Sequence, residues 1–285
     1  MDRGSLRSHL QNPDLPQQEW SDILMALRDL TRSLASMHKA GLVHRDFHSG
    51  NILIKYVNTP YIADFGLSRN VTHESEGKIF GILPYVAPEV LNKQPYTQAA
   101  DIYSLGMILW EYLANIPPFS DRAHDLRLNL DILRGLRPKI LPGTPTIYAN
   151  LMKQCWDENP EKRPTAQQVN KIISGWQKAY VLHMNKQPLT KEQEEIGKIF
   201  EAAEEYRLNI EQGGGGKGKI MRGYAKHSEA WTRSRLLDFP SLEKKSQEPE
   251  SKIIEEEKES LDKTGYLVIY RNTQLLEISD ESDED

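Results

Sequence analysis

The segment His-Arg-Asp-Phe-His-Ser-Gly-Asn at 44–51 constrains the fold of this chain more than any other part. It places the carboxylate of Asp46 and the carboxamide of Asn51 on one loop, which leads directly into a short apolar strand. A second short apolar segment then leads to Asp64. Two such strands direct these three oxygen-bearing side chains toward one region, as a site for metal-bound phosphates requires.

Three short motifs, in this order, resemble the protein kinase family. His-Arg-Asp at 44–46 is followed by Asn51, then by Asp-Phe-Gly at 64–66, and then by Ala-Pro-Glu at 87–89. This order is similar to the catalytic and activation segments of protein kinases. Each motif alone is a weak signal, and turn formation alone would explain Asp46 and Asn51. The correct order, with a hairpin between the first two motifs, favours the kinase interpretation.

The resemblance implies a role for each polar residue of this site. Asp46 would be the proton acceptor for the substrate hydroxyl, and Asn51, Leu53 and Asp64 would contact the nucleotide. ATP and Mg²⁺ are the implied cofactors. Asn51 would give the metal a neutral oxygen and Asp64 a charged one. The implied partners are ATP and a protein substrate.

The resemblance also implies regulatory and structural residues. Arg45 would bind a phosphate on the activation loop, for which Thr72 and Ser75 are the nominated acceptors, because a phosphate next to an arginine can order a loop. Alternatively, Arg45 makes a constitutive contact and the loop is never modified. Three residues correspond to structural positions of the family: Glu89 and Arg163, which would form an ion pair, and Asp101, which would bind the catalytic-loop backbone.

Two positions depart from the pattern of serine/threonine kinases. His48 stands where the family has a lysine, and Ile82 stands where it has a threonine. Those two family residues normally bind each other, so changing both avoids leaving a buried polar group without a partner. A histidine that is largely neutral near pH 7 would replace the lysine less effectively. The loop also lacks the tyrosine-kinase pattern, and with Cys155-Trp156 it resembles the tyrosine-kinase-like group, whose members mostly modify serine and threonine.

Hydrophobic periodicity predicts a mainly α-helical fold. Apolar residues recur at three- and four-residue steps over 20–37, and the segment 102–116 is apolar on all sides, as in a core helix. The resemblance covers 1–178 and implies a kinase-like C-terminal lobe with a small β-hairpin. Residues 179–240 are predicted to form a helical extension with a Gly-rich linker. Residues 241–285 are predicted to be a charged, disordered acidic tail, apart from a strand over 266–270.

The start of the chain predicts an incomplete kinase. Gly-Ser-Leu at 4–6 resembles the residues just after the hinge between kinase lobes, and no glycine loop, strand lysine or helix glutamate precedes His44. Losing one preorganised charge-stabilising group costs on the order of 10²–10³ in rate. We therefore expect little or no kinase activity from these residues alone. The second hypothesis is a truncated pseudokinase that binds other proteins, with the helix over 191–209, whose partner is unknown, as a docking surface.

Composition excludes several other functions. The net charge of −5 gives no basic footprint for nucleic acid, and the longest apolar run is too short to span a membrane. The absence of a signal pattern and the lone Cys155, in an apolar context, predict an intracellular, cytoplasmic protein with a buried thiol. The run Gly213–Lys219 resembles a phosphate-binding loop, but Ile220 stands where a hydroxyl must bind the metal, so we interpret it as a linker.

Overall fold

The computed structural model describes residues 4–15, 18–55, 59–64, 69–70, 79–212, 226–238, 255–261 and 267–273. The chain divides into two compact units, Met1–Asp238 and Phe239–Asp285. The first unit holds all the described helices and a small antiparallel hairpin. The predicted fold class, a mainly helical lobe of the kinase type, is confirmed.

The described part of the chain contains eight α-helices and eight short strands, and all the strands pair antiparallel in twos. The helices are α1 Leu6–Leu10, α2 Trp20–Lys39, α3 Pro88–Leu91, α4 Gln98–Ala114, α5 Leu126–Leu133, α6 Thr146–Cys155, α7 Ala166–Met184 and α8 Lys191–Gln212. The strands are β1 Leu42–Val43, β2 Ile52–Lys55, β3 Thr59–Ile62, β4 Arg69–Asn70, β5 Ile79–Gly81, β6 Arg235–Leu237, β7 Glu255–Leu261 and β8 Leu267–Thr273. The pairs are β1 with β4, β2 with β3, β5 with β6, and β7 with β8. No described helix is both long enough and apolar enough to cross a bilayer.

Helix α2 carries the catalytic loop at its C-terminal end. Its buried leucines, which include Leu27 and Leu34, lie on one face and pack mainly against α7. The N–H of Trp20 donates to the carboxylate of Glu204 in α8 at 3.0 Å, which stabilises the helix N-terminus. The helix ends at Lys39, and Gly41 follows with a φ of 76° that suits glycine. The helix begins at Trp20, the first residue of the predicted apolar period.

Helix α4 is the centre of the core. Apolar residues such as Leu105 and Ile108 are completely buried around its whole circumference. The helix ends at Asn115, which adopts the left-handed conformation with a φ of 56°, two residues before Pro117. The same helix also buries Asp101 and Glu111, and both of these acids contact the catalytic loop.

Helix α8 packs onto the lobe through an aromatic cluster. The completely buried ring of Phe200 lies 5.1 Å from the ring of Trp20, 5.8 Å from Trp176 and 6.0 Å from Tyr180, between centroids. Ala203, one turn further on, is buried as well. Phe200 and Ala203 of the predicted docking helix are therefore covered by the chain itself, whereas Tyr206 is 39% exposed.

Several described elements were not predicted, among them α1, β7 and the short strands β1, β4, β5 and β6. Helix α1 has only five residues, begins after the capping hydroxyl of Ser5, and is too short to show a hydrophobic period. In the second unit, β8 overlaps the predicted strand over 266–270, but its partner β7 comes from residues whose charge favours disorder. The partner strand, Glu-Glu-Glu-Lys-Glu-Ser-Leu, shows no alternation of apolar and polar residues, so composition gave no signal for it.

Arg163 connects three parts of the first unit. Its guanidinium donates to both carboxylate oxygens of Glu89, at 2.7 and 2.8 Å, and to the carbonyls of Ala99 and Asp157. It also lies over the ring of Tyr103, 5.3 Å from the centroid. The Arg163 side chain is fully buried, and that of Glu89 is 12% exposed.

Breaking this pair from one side should strongly destabilise the lobe. Arg163→Ala leaves the Glu89 carboxylate buried without its cation, so the free energy of unfolding should fall by about 3–5 kcal/mol. The matched control is Arg122→Ala, which removes a pair with Asp131 that is about one third exposed and should cost less than about 1 kcal/mol. Urea unfolding of the three proteins measures both changes. Equal losses in the two variants would contradict the buried role of Arg163.

Candidate active site

The loop 44–51, which the sequence predicts to be the catalytic loop, is held by one buried carboxylate. Asp101 of α4 is 1% exposed and accepts hydrogen bonds from the backbone N–H of His44 at 2.8 Å and of Arg45 at 3.1 Å. The Nε2 atom of His38 lies 2.9 Å from the same carboxylate. Arg45 has a φ of 71°, an uncommon conformation for a residue with a Cβ atom. These contacts hold the loop in a shape that it would not adopt alone.

Asp46 and Asn51 lie in direct contact. The amide nitrogen of Asn51 donates to the main-chain oxygen of Asp46 at 3.0 Å and to its carboxylate at 3.0 Å. Asp46 is 7% exposed. Both hydrogen bonds use the nitrogen of Asn51, so the orientation of the carboxamide is fixed and its oxygen is available to a cation.

The hairpin of β2 and β3 brings Asp64 to the same loop. The N–H of Ala63 donates to the main-chain oxygen of Asn51 at 2.8 Å, and His44 Nε2 donates to the oxygen of Ala63 at 3.0 Å. Asp64 follows with a φ of 60° and an exposed side chain. A main-chain hydrogen bond thus connects Ala63, the residue before Asp64, to Asn51.

The donor set fits a magnesium ion that is also bound by phosphates. Mg²⁺ is usually held by one or two protein oxygen ligands, with phosphate oxygens and water completing its shell. Asn51 and Asp64 would provide one neutral and one charged oxygen. Among the described residues, no group of three or more His, Cys, Asp or Glu could hold a metal without such help.

A serine that the sequence did not single out occupies this site. The hydroxyl of Ser234 donates to the Asp46 carboxylate, with its Oγ 2.8 and 2.7 Å from the two oxygens. The His48 Nδ1 accepts from the N–H of Gly50 at 3.0 Å, so in the neutral ring the proton is on Nε2. That Nε2 lies 2.8 Å from Ser234 Oγ and donates to it. The Ser234 hydroxyl is therefore held between an imidazole N–H and a carboxylate.

Several hydrogen bonds stabilise the ionised form of Asp46. Burial by itself raises the pKa of a carboxyl group, but here the contacts with His48, Ser234 and Asn51 outweigh burial and lower the pKa of Asp46. The carboxylate is consequently charged at neutral pH and accepts the hydroxyl proton of Ser234 in a hydrogen bond.

The segment 226–238, which contains Ser234, pairs with the strand just before Ile82. Strand β6 runs antiparallel to β5, with Gly81 opposite Arg235 and Ile79 opposite Leu237. Gly81 has a φ of 145°, and a Cβ there would lie 3.5 Å from Asp46 Oδ1 and 3.0 Å from Val86. The backbone conformation and the crowding by Val86 therefore favour glycine here, whereas the contact with Asp46 would be an ordinary one.

A buried polar cluster supports the loop from the side of α1. Ser49 and Tyr85 donate to the two carboxylate oxygens of Glu111, at 2.8 and 2.6 Å. Arg7 donates from Nε to Ser49 at 3.1 Å and from a terminal nitrogen to the main-chain oxygen of Thr232. Arg7 therefore joins the loop to the segment that carries Ser234. An isolated arginine near the start of the chain gave no sequence signal for this role.

The remaining predicted residues lie as follows. Leu53 is 39% exposed on β2, and Ile82 is buried with no hydroxyl to offer the loop. The guanidinium of Arg45 lies over the ring of Tyr96, 5.9 Å from its centroid. Thr72 and Ser75 lie outside the described residues.

Comparison with known proteins places this geometry in a family. Residues 1–172 match the protein kinase domain. A probable LIM domain-containing serine/threonine-protein kinase of Dictyostelium discoideum is 30% identical over 184 residues, which are 64% of this chain and 28% of that protein. A serine/threonine/tyrosine-protein kinase of Arabidopsis thaliana is 32% identical over 165 residues, 58% of this chain and 42% of the relative.

A putative serine/threonine-protein kinase/receptor of Acanthamoeba polyphaga mimivirus is 33% identical over 171 residues, 59% of this chain and 10% of that protein. The chain thus spans less than half the length of each of these three relatives. Because the family match covers more than half of the chain, the chain belongs to the protein kinase family.

His124 connects the lobe to the segment 226–238. It is 2% exposed, its Nε2 donates to the oxygen of Phe119 at 3.1 Å, and its Nδ1 accepts from the N–H of Trp231 at 3.1 Å. Burial lowers the pKa of this imidazole to about 4, and the hydrogen bond to Phe119 offsets this effect only in part. Protonation would place an N–H against the N–H of Trp231.

Acid should therefore weaken the fold through His124. The pKa of His124 rises toward 6.5 when the protein unfolds. The stabilisation that the neutral imidazole gives the folded state is therefore complete above pH 6.5 and is lost as the pH falls toward 4. Between pH 7 and 4.5 the neutral histidine should account for a loss of about 2 kcal/mol. The measurement is urea unfolding of wild type and His124→Gln at both pH values. The glutamine variant should lose less stability on acidification, and equal losses would contradict this assignment.

Proposed function

We propose that this chain carries the catalytic loop and metal ligands of an ATP-dependent kinase that phosphorylates serine or threonine in proteins. One observation supports this proposal most directly. A serine hydroxyl donates to the Asp46 carboxylate, and Asn51 binds the same carboxylate from the other side. An acceptor hydroxyl needs this environment in order to attack a phosphoryl group.

Asp46 acts mainly by positioning the acceptor. In phosphoryl transfer the protein contributes orientation and charge stabilisation, and the acceptor proton moves to the aspartate. The lowered pKa of Asp46 keeps it ionised and ready to orient a hydroxyl. Asn51 fixes the rotation of the carboxylate, so the hydroxyl points along one direction.

His48 takes over part of the task of the family lysine. Its Nε2–H donates to the acceptor oxygen at 2.8 Å, which orients the lone pairs of that oxygen. The family lysine places a compact ammonium group beside the transferring phosphate, and an imidazole ring does not supply a point charge of this kind. We therefore expect slower transfer than in kinases that keep the lysine.

Asn51 and Asp64 would hold Mg²⁺, which neutralises charge on the phosphates of the bound nucleotide. Leu53 presents an exposed apolar side chain on the adjacent strand and would contact the nucleotide base. Arg45 would bind a phosphate on Thr72 or Ser75, which would order the activation loop.

The geometry favours serine and threonine over tyrosine. Residue 234 directly precedes strand β6, and the pairing of β6 with β5 fixes its backbone. From this backbone position the short serine side chain reaches Asp46. A tyrosine hydroxyl lies a full ring farther from its backbone and would pass beyond the carboxylate.

The second candidate, a pseudokinase that only binds other proteins, has less support. It relied on α8 as a docking surface, but Phe200 and Ala203 of that helix are buried within the chain. A binding module has no need for a carboxylate, a carboxamide and a hydroxyl in mutual contact.

Binding of Mg²⁺–ATP tests the proposed function without requiring catalysis. Ligand that binds only the folded state raises its stability by about 1.4 kcal/mol for each tenfold excess over Kd. Thermal unfolding should shift upward by a few degrees with millimolar Mg²⁺–ATP, and Asp64→Asn should remove most of the magnesium-dependent part.

The matched control is Asp121→Asn, which changes an exposed aspartate elsewhere and should keep the full shift. A wild-type protein that does not respond to Mg²⁺–ATP, or an Asp64→Asn variant that responds as fully as the control, would contradict the proposed function.

A further inference from the structure

The segment 226–238 is anchored on the side that precedes Ser234. The main-chain oxygen of Thr232, two residues before the serine, accepts from Arg7. The N–H of Trp231 donates to His124, and the N–H of His124 donates in return to the oxygen of Glu229 at 3.0 Å. Main-chain groups make most of these contacts, so the lobe holds this part of the segment, which turns at Ser228 and Glu229, largely through its backbone.

The segment is also anchored after Ser234. Strand β6 adds to β5 through main-chain pairing, which is a general way to bind an extended peptide. Leu237 is 6% exposed and fills a site against the lobe. The guanidinium of Arg235 lies over the ring of Trp231, 4.3 Å from the centroid, and donates to the oxygen of His124 at 3.3 Å.

Because the segment is anchored both before and after Ser234, these contacts fix the position of Ser234. Its hydroxyl is the group of the segment that bonds to both Asp46 and His48. A segment that merely covered the surface would have no need to place a hydroxyl between the proton acceptor and its neighbouring imidazole.

We propose that residues 226–238 are an internal substrate, which lies in the protein-substrate groove of its own chain and presents Ser234 as the phosphate acceptor. This inference rests on the proposed function and adds the identity of one substrate. It also means that a separate protein substrate must displace this segment before it can reach Asp46.

The step is a phosphoryl transfer from a nucleoside triphosphate. A lone pair of Ser234 Oγ forms a bond to the γ-phosphorus, and the bond between that phosphorus and its bridging oxygen to the β-phosphate breaks. The nucleoside diphosphate leaves with the bonding electrons, and the hydroxyl proton passes to Asp46. No other reactant is needed.

The product no longer fits the groove. Phosphorylation removes the hydroxyl that donates to Asp46 and places nearly two negative charges next to that carboxylate. The repulsion acts between the contact of Arg7 with Thr232 and the β5–β6 pairing, so it opposes both sets of anchoring contacts. The modified segment should therefore leave the groove and open it to other proteins.

An intramolecular acceptor also suits a slow enzyme. Because Ser234 already lies against Asp46, no encounter with a separate substrate is needed, and orientation of this kind favours reaction strongly. Even a chain with little activity on separate proteins should therefore label itself once over a long incubation.

Hydrogen exchange of the intact chain tests the docking independently of catalysis. Amides of 226–238 should exchange at least about tenfold more slowly than in a free peptide of the same sequence, because His227, Trp231 and β6 have bonded amides. Genetically encoded phosphoserine at position 234 should remove this protection. Phosphoserine at the exposed Ser228 of the same segment is the matched control and should retain it.

Incubation with Mg²⁺–ATP tests the acceptor role. Mass spectrometry should find up to one phosphate on Ser234, formed at a rate that does not depend on protein concentration. Ser234→Ala should abolish that label, Ser228→Ala should leave it unchanged, and Asp46→Asn should abolish it.

The outcomes separate the two proposals. Exchange of 226–238 as fast as in the free peptide would overturn the docking. A chain that is stabilised by Mg²⁺–ATP but labelled elsewhere, or labelled at a concentration-dependent rate, would overturn the internal substrate while leaving the kinase proposal intact. A chain that is neither stabilised nor labelled would overturn the kinase proposal and the acceptor role with it, and exchange alone would then decide whether the segment occupies the groove.

Discussion

The hydrogen bonds of Asp101 are the interaction on which the whole site depends. This carboxylate is buried in the most apolar helix of the chain, yet it accepts two backbone N–H groups and contacts an imidazole. A buried acid with such partners is stable, whereas one without them would be costly. Because α4 is packed on all sides, Asp101 has a fixed position. Its hydrogen bonds to His44 and Arg45 therefore fix the loop that carries Asp46.

From that anchor, short-range bonds organise the remaining polar groups. Asn51 fixes the carboxylate of Asp46, and the hairpin of β2 and β3 is tied back to Asn51. Glu111, ten residues farther along α4, holds Ser49 and Tyr85 on the other side of the loop. One core helix thus contacts both ends of the loop 44–51, and Gly81 lies where strand β5, which pairs with β6, passes Asp46.

Much of this arrangement could be predicted from the sequence. The helices α2 and α4, the small hairpin and the grouping of Asp46 with Asn51 follow from local periodicity and from motifs whose members lie close together in the chain. The docking of 226–238 could not be predicted in this way. It depends on bonds between residues far apart in sequence, such as Ser234 with Asp46 and Trp231 with His124. These thirteen residues are mostly polar, and their few apolar members follow no period, so they give no local signal of the contacts that they make.

The state of the Asp46 carboxyl group tests this account most directly. NMR titration of its side-chain carboxyl carbon should give a pKa below the ordinary value of 3.8, because bonds from His48, Ser234 and Asn51 outweigh burial. In Ser234→Ala the pKa should rise, since one of these donors is lost while the carboxylate stays in place. A wild-type pKa at or above 3.8, unchanged by the substitution, would show that the serine does not bind Asp46 and would contradict the central claim.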